Sequence, residues 1–432
     1  MLCARRGNVR CRAAVKLPSS LAPLGIRDFT LFWFGFATTR MGRAIEETGA
    51  VWLMYELTGS PVLLGLLGLA RAVPSIILSP IGGVVADRVD QRRLLFVTQG
   101  LGLLASAIVG LLVITGRVEF WHLYVQVAVH ASFEAFDGSA RLALFPRLVP
   151  RSQLTEAVTL NSTAARSSQL IGPAIGGLAI ASLGESAPFF LNAGTFLVLM
   201  AAVTAMSRLI PKASTVESTF RGEMADGFRY IVRQPVLSGL IKLEVVISTF
   251  QVNPVLITIV GRGVLGVGPV ELGILLAGPA AGSLIAIFGM LTLGHVQRQG
   301  RFVVHCAYGY AAALVSFALA PGYWTSFAAL AAVGLFDALL TVTRHSVMQL
   351  AAPPDMRGRV MGNMATVTRG MSPLAEVQSG LLAAVFGPVL AAMSAAGVLA
   401  GAALVTKQTN AALWNFTRDR ASDNPGSTST PT

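Results

Sequence analysis

The chain has 432 residues, 53% of them hydrophobic and only 12% charged, about half the charged share of an ordinary soluble domain. One soluble domain, or a pair of them, is thereby excluded. The 33 Lys+Arg against 21 Asp+Glu leave a net charge of +12, while Cys3, Cys11 and Cys306, with no Cys or His at zinc spacing, exclude a disulfide framework and a structural zinc site.

Residues 1–28 are Arg-rich and lack an apolar core before Pro18, so they read as a basic cytoplasmic tail and not as a secretory signal. Apolar stretches of about 20 residues or more, enough to cross a bilayer, then recur at 29–56, 62–86, 94–115, 119–146, 154–182 and 186–207. A polar connection, 208–235, carries Phe220, Met224, Phe228 and Ile231 at spacings of three and four. This predicts an amphipathic helix, lying either on the membrane surface or as a solvated linker. Six further stretches follow at 236–261, 269–293, 302–320, 323–350, 358–385 and 388–406, and residues 407–432 form a polar tail expected to be disordered. The fold class expected is an all-α integral membrane protein, with twelve transmembrane helices in two six-helix bundles, 29–207 and 236–406.

With the N-terminus inside, 23 of the 33 basic residues fall in cytoplasmic segments, and on the other side only Arg117 lies clearly in a loop. That asymmetry places both termini in the cytoplasm and makes the net charge an orientation signal, not a nucleic-acid footprint. An internal repeat supports the six-plus-six division. Ser60-Pro61-Val62-Leu63-Leu64-Gly65 matches Gly268-Pro269-Val270-Glu271-Leu272-Gly273 at an offset of 208. An offset of 203 carries Glu134 onto Asp337, Arg141 onto Arg344, Arg166 onto Arg369 and Gly177 onto Gly380.

After the second stretch the chain reads Gly82-Gly83-Val84-Val85-Ala86-Asp87-Arg88-Val89-Asp90-Gln91-Arg92-Arg93. This resembles the signature loop of the major facilitator superfamily, a Gly followed by Asp-Arg and a basic cluster. The resemblance implies a conformational latch made by Gly83, Asp87, Arg88, Arg92 and Arg93, with Asp90 and Gln91 departing from the usual pattern. In the second half His295 stands at the aspartate position, which predicts a weaker latch there. Gly172-Pro173-Ala174-Ile175-Gly176-Gly177 is similar to the core of the motif associated with exporters of that superfamily; its small residues permit close helix approach and Pro173 frees a carbonyl. Together with Tyr55–Pro61, Leu144–Pro150 and Phe228–Pro235 these stretches look like the branch that includes siderophore exporters and macrolide efflux proteins.

Nine basic residues fall inside predicted spans, each costing about 2.5–3.5 kcal/mol if unpaired. Arg43 stands three residues before Glu46 and four before Glu47, the spacing of pairs on one helical face. Glu134, Asp137 and Arg141 share a face of the fourth span, and Asp337 with Arg344 repeats the outer pair in the tenth. In the superfamily resembled, spans 1, 4, 7 and 10 chiefly line the cavity. The proton-coupling candidates are therefore Glu134, Asp137, Glu47 and Asp337, with Glu134 favoured because Arg141 lies two turns away and Asp137 expected to be held as the partner of Arg141. The substrate-cavity candidates are Arg43, Arg141, Arg166, Gln251, Asn253, Arg344 and Arg369. Gln251 and Asn253 have an alternative role, patching the backbone beside Pro254.

No nucleophile motif or phosphate-cradling loop appears and the five histidines are scattered, so neither an enzyme nor ATP-driven transport is expected. The function expected is a proton-coupled exporter of a small amphiphilic or anionic compound, of siderophore or drug type, working by alternating access in the bacterial inner membrane. Protons are the expected coupling ion, the lipid bilayer the surroundings, and no cofactor or metal is required. A monomer is expected. An importer of a nutrient, lipid or metal chelate, or a non-transporting sensor on the same fold, stays open.

Overall fold

The computed structural model describes residues 19–206, 220–293 and 296–417, and among them every regular element is a helix. The first six long helices are α1 (Arg27–Thr58), α2 (Pro61–Arg88), α3 (Gln91–Ile114), α4 (Phe120–Leu148), α5 (Leu154–Leu183) and α6 (Ala187–Ala205). After α7 (Phe220–Arg233) come α8 (Pro235–Phe250), α9 (Pro254–Gly263), α10 (Pro269–Leu293), α11 (Gln299–Ala318), α12 (Tyr323–Ala351), α13 (Arg357–Phe386) and α14 (Pro388–Thr409). Helices α8 and α9 form one broken crossing, so the chain crosses twelve times, and α1 begins on the side where α14 ends. That side is called the terminal side below, and the opposite one the far side. Residues 1–18, 207–219 and 418–432 and His295 lie outside the described residues, as do the side chains of Gly83, Asp87, Arg88 and Arg141.

Helix starts and stops follow local chemistry. Proline opens α2, α8, α9, α10 and α14, where its missing N–H costs nothing. Asp90 Oδ1 accepts the Arg92 and Arg93 N–H groups at 2.8 and 3.2 Å and starts α3, so the residue that departs from the signature-loop pattern makes an N-cap. Gly59, at φ 59°, ends α1 in the left-handed region and returns its N–H to Tyr55 O.

Eight of the twelve crossings are long and apolar enough to read as spans by composition alone. The four that are not, α1, α4, α5 and α13, hold most of the membrane-interior charges, so their polarity marks the inside of the molecule. Within the N-terminal bundle α1 lies on α6 through Gly35, Gly42 and Gly49, one every seventh residue. A methyl group at Gly35 would sit 2.9 Å from Leu199 Cδ1, and one at Gly49 2.6 Å from Pro188 Cβ. The glycines of the exporter-type motif divide their work. Gly172 and Gly176 bring α5 onto α1, where a methyl at Gly176 would meet Ile45 O at 2.9 Å, while Gly177 faces the other bundle.

The bundles touch at two crossings related by the internal repeat. On α2 and α13, Gly65 and Gly380 meet, a methyl on either falling within 2.9–3.1 Å of the other's Cα. On α5 and α10, Gly177 and Gly273 meet in the same way at 3.1–3.2 Å. Both crossings lie in the far half, as do the contacts of Tyr55 with Gly263 and of Glu56 with Arg262. On the terminal half of α2, Ile76 and Ile77 are exposed. These described cross-bundle contacts lie in the far half.

The break between α8 and α9 is sealed by side chains. Asn253 Oδ1 accepts the Leu256 N–H at 2.9 Å, its Nδ2 donates to Ser379 Oγ at 2.9 Å and Ala375 O at 3.1 Å, and Tyr310 Oη accepts the Val252 N–H at 2.7 Å. Asn253, expected among the cavity-lining residues, is buried and patches the backbone instead, since a freed amide in hydrocarbon has no water to satisfy it. Asn253→Ala removes the cap and two bonds to α13, and a loss of about 2–3 kcal/mol is expected; the thermal midpoint of the detergent-purified protein checks it. Gln251 is half-buried and donates to Ser372 Oγ at 2.7 Å.

On α7, Ile231 is buried and Gly227 abuts Arg359 and Asn363 of α13, while Phe228 and Val232 stay exposed. The amphipathic helix is present, with one apolar edge docked on the C-terminal bundle and a second facing outward.

Candidate functional site: charges inside the membrane

The interior charges pair between helices, not along them. Arg43 on α1 holds Glu134 on α4 at 2.7 Å, both about one-third exposed. Glu47 pairs with Arg71 of α2 at 2.9 Å, and Arg71 also binds Glu376 of α13 at 2.9 Å, across the bundle interface. Glu46 is buried and accepts from Ser106 of α3, Gln126 of α4 and Asn192 of α6. The spacing rule that joined Arg43 to Glu46 and Glu47 therefore fails here. In a bundle a partner on a neighbouring helix is as close as one turn along the same helix, and its side chain need not bend back on itself.

Within α4, the expected pairing of Asp137 with Arg141 falls on a side chain outside those described. Glu134 is not remote from arginine, because Arg43 reaches it from α1. Asp137 is buried and accepts from Thr98 Oγ1 at 2.5 Å and from Gln99. In the C-terminal bundle Arg344 does not pair with Asp337. It is buried against Glu244 of α8, whose Oε1 also accepts from Ser248 at 2.9 Å and Thr368 at 2.5 Å. Arg344 therefore lies in the bundle core and not on a cavity wall, which corrects its expected place. Asp337, half-buried, lies within electrostatic reach of Arg166 on α5 of the other bundle.

Arg166 and Arg369 occupy matched positions, each in the middle of its helix, and both are exposed. Arg166 donates to Gln169 at 3.5 Å. An exposed guanidinium in the middle of a crossing is costly against lipid tails. On the far side Arg262 of α9 binds Glu56 of α1 and stacks 4.0 Å over the Trp52 ring, whose Nε1 donates to Glu185 at 3.2 Å. At the signature loop Arg92 donates to Thr204 O at 2.6 Å, tying α3 to the end of α6 in its own bundle. A methyl on Gly82 would fall against the Ala135 carbonyl of α4.

Sequence reading missed Arg71, Glu376, Glu244 and the polar shell of Glu46. Their partners stand tens to hundreds of residues away, and nothing local announces them; the excess polarity of α1, α4, α5 and α13 is the one signal that points there.

Comparison with known proteins agrees with this architecture. The model of a family described as transmembrane secretion effector matches residues 18–426. Similar curated proteins include an uncharacterised transporter of the major facilitator type, YfiS of Bacillus subtilis, 27% identical over 82% of this chain and 85% of that protein. The multidrug efflux pump Tap of Mycolicibacterium fortuitum is 24% identical, covering 82% of this chain and 88% of the pump. The enterobactin exporter EntS of Salmonella choleraesuis is 25% identical, covering 80% of each. Among solved structures, a bacterial homologue of the lysosomal transporter Spinster, inward-facing, superposes with a TM-score of 0.68 at 14% identity over 92% of this chain and 96% of that one. A bacterial homologue of the iron transporter ferroportin, also inward-facing, gives 0.63 at 15% identity over 87% and 98%.

Proposed function

This chain belongs to the transmembrane secretion effector family of the major facilitator superfamily, and from that premise we propose that it exports a small anionic or amphiphilic compound, by alternating access and in exchange for protons. It is a multi-pass membrane transporter and not an enzyme. The observation that carries the substrate class is the pair of exposed mid-membrane cations, Arg166 and Arg369, placed alike on the two bundles. An anion entering between the bundles meets one guanidinium from each, and the apolar remainder of the walls suits an amphiphile.

Export is supported by the named efflux relatives. Arg43–Glu134 supports proton exchange: an anion that draws Arg43 away removes one counter-charge from Glu134 and favours its taking a proton. Arg141 remains a cavity candidate, Glu47, Asp137 and Asp337 are the alternative proton carriers, and Gly83, Asp87, Arg88, Arg92 and Arg93 form the latch that closes the terminal side in the other state.

Cells lacking the protein are expected to retain the transported compound, and a metabolite profile of deleted against complemented cells identifies it. Everted vesicles expressing the protein should accumulate that compound and right-side-out vesicles should not; the reverse result means import. Arg166→Ala and Arg369→Ala should each lower its transport about tenfold, the 1.4 kcal/mol expected for one lost charge-assisted contact. Unchanged retention in the deleted cells would sink the export reading.

A further inference from the structure

Glu46 lies at the centre of the N-terminal bundle, 4% exposed, in a shell built by three other helices. Its Oε1 accepts from Ser106 Oγ at 2.7 Å and from Gln126 Nε2, and its Oε2 accepts from Asn192 Nδ2 and faces His130 Nδ1 at 3.3 Å. Ser106 and Asn192 are fully buried and Gln126 nearly so. The three side chains hydrogen-bonded to this carboxylate, Ser106, Gln126 and Asn192, are all donors.

His130 completes the argument. Its Nδ1 faces the Glu46 carboxylate, and its Nε2 lies 3.3 Å from Gly102 O and 3.4 Å from Ser106 Oγ. The Ser106 hydroxyl proton is engaged by Glu46, so both Nε2 neighbours are acceptors. With Glu46 ionised the ring meets acceptors at both nitrogens and is doubly protonated; with the proton on Glu46 Oε2 the ring is neutral, accepting at Nδ1 and donating from Nε2. In both forms the geometry seats one proton on the pair, between Glu46 Oε2 and His130 Nδ1. The Phe196 ring, 5.8 Å away and edge-on, helps fix the imidazole plane.

Two cavities touch this pair. On its terminal side a cavity of about 50 Å³ is lined by Gln99, Gly102, His130, Glu134 and Asp137. On its far side one of about 40 Å³ is lined by Glu46, Glu47, Arg71, Gln126 and His130. Each exceeds the roughly 10–15 Å³ a water needs, and both have several polar walls. The charged groups facing the pair are Arg40, Arg43 and Glu47 from α1, Arg71 from α2, and Glu134 and Asp137 from α4; α3 and α6 contribute only neutral groups.

We infer that Glu46 and His130 form a proton-holding site in the core of the N-terminal bundle, bordering the cavities that Arg43 lines, that exchanges one proton with water in the cavities on either side. In the exchange a water on the terminal side gives a proton to Nε2 of the neutral ring, and the Nδ1 proton passes to Glu46 Oε2. The carboxylic acid then releases that proton to water on the far side, leaving carboxylate and neutral imidazole, so one proton has moved and none is created. The place of this exchange in transport rests on the proton-coupled reading above; the presence of the site does not.

The test needs no substrate. Proton uptake by the full chain in lipid nanodiscs is measured with a pH indicator between about pH 9 and pH 5. His130→Gln is expected to take up about one proton fewer per chain than the wild type, because it removes the imidazole, and Glu46→Gln to move that uptake to lower pH, because the imidazole keeps its proton site but loses its counter-charge. Asn192→Ala disturbs the same shell without removing a titratable group and should keep the full uptake, which separates loss of the site from misfolding. Uptake by His130→Gln equal to that of the wild type, or an unshifted uptake in Glu46→Gln, overturns the inference, as does an equal loss in Asn192→Ala. If uptake falls as expected but no compound is retained by deleted cells, the proton site stands and the export reading fails.

Discussion

Replacing Gly177 by alanine is expected to cut transport at least tenfold while leaving a folded, membrane-inserted protein. The added methyl would fall against the Pro269 carbonyl of α10 and within 3.2 Å of Gly273 Cα, and both obstacles are backbone, so no side chain can swing aside. Overpacking of this kind costs about 1–3 kcal/mol, but only while the far side is closed, because that is where the two helices touch. The substitution therefore favours the far-open state by about 5- to 150-fold, and a cycle that must visit both states slows. Gly380→Ala, which would meet Pro61 O at 2.5 Å at the matched crossing of α13 and α2, should behave alike. The effects should add, since the sites are far apart. Gly194→Ala, with open space around it, is the control. Vesicle transport and maleimide labelling of a cysteine placed at Tyr55 read the result: faster labelling from the far side with slower transport is expected, and unchanged labelling would show that the glycines are not the seal.

Arg71→Ala should be the most damaging single change in the N-terminal bundle. Arg71 is the shared counter-charge of Glu47 and Glu376, and Glu376 is only 9% exposed. Removing one partner of a buried pair leaves an uncompensated charge and costs about 3–5 kcal/mol; Glu47, more than one-third exposed, adds less because water screens it. The expected outcome is a low yield of folded protein and no transport. Glu376→Gln in the same chain should restore much of the yield, because it removes the stranded charge and keeps the shape. A double-mutant cycle on the thermal midpoint measures the coupling. No rescue by Glu376→Gln would mean that the arginine matters for packing and not for charge.

The comparison of sequence with structure divides along one physical line. Features set by backbone contact were legible, because a repeat in sequence is a repeat in helix packing. The offset of 203 that carries Gly177 onto Gly380, and the offset of 208 that carries Gly65 onto Gly273, picked out the four glycines of the two crossings. Twelve crossings could be read from hydropathy although α1, α4, α5 and α13 are too charged to qualify alone. Side-chain partnerships were not legible. Arg43 stood beside two acids in sequence and bound a third on another helix, and Arg71, the one charge in an otherwise apolar stretch of α2, found its acid 305 residues away. A helical face can be computed from spacing, but what it meets depends on how the helices are arranged around it. Asn253 shows the same limit: a polar residue beside a helix break reads equally as a ligand group or a repair until its neighbours are known.

The two glycine crossings also set the mechanical scale of the molecule. They sit near the far ends of α2 and α10, and at 1.5 Å per residue the remaining lengths, Gly65 to Arg88 and Gly273 to Leu293, are arms of about 35 and 30 Å. A fulcrum at one end of a long arm trades force for travel: a rotation of roughly 10° about it sweeps the terminal ends through about 6 Å. Small changes in which atoms touch at four glycines are thereby enough to admit or exclude a molecule at the opposite face.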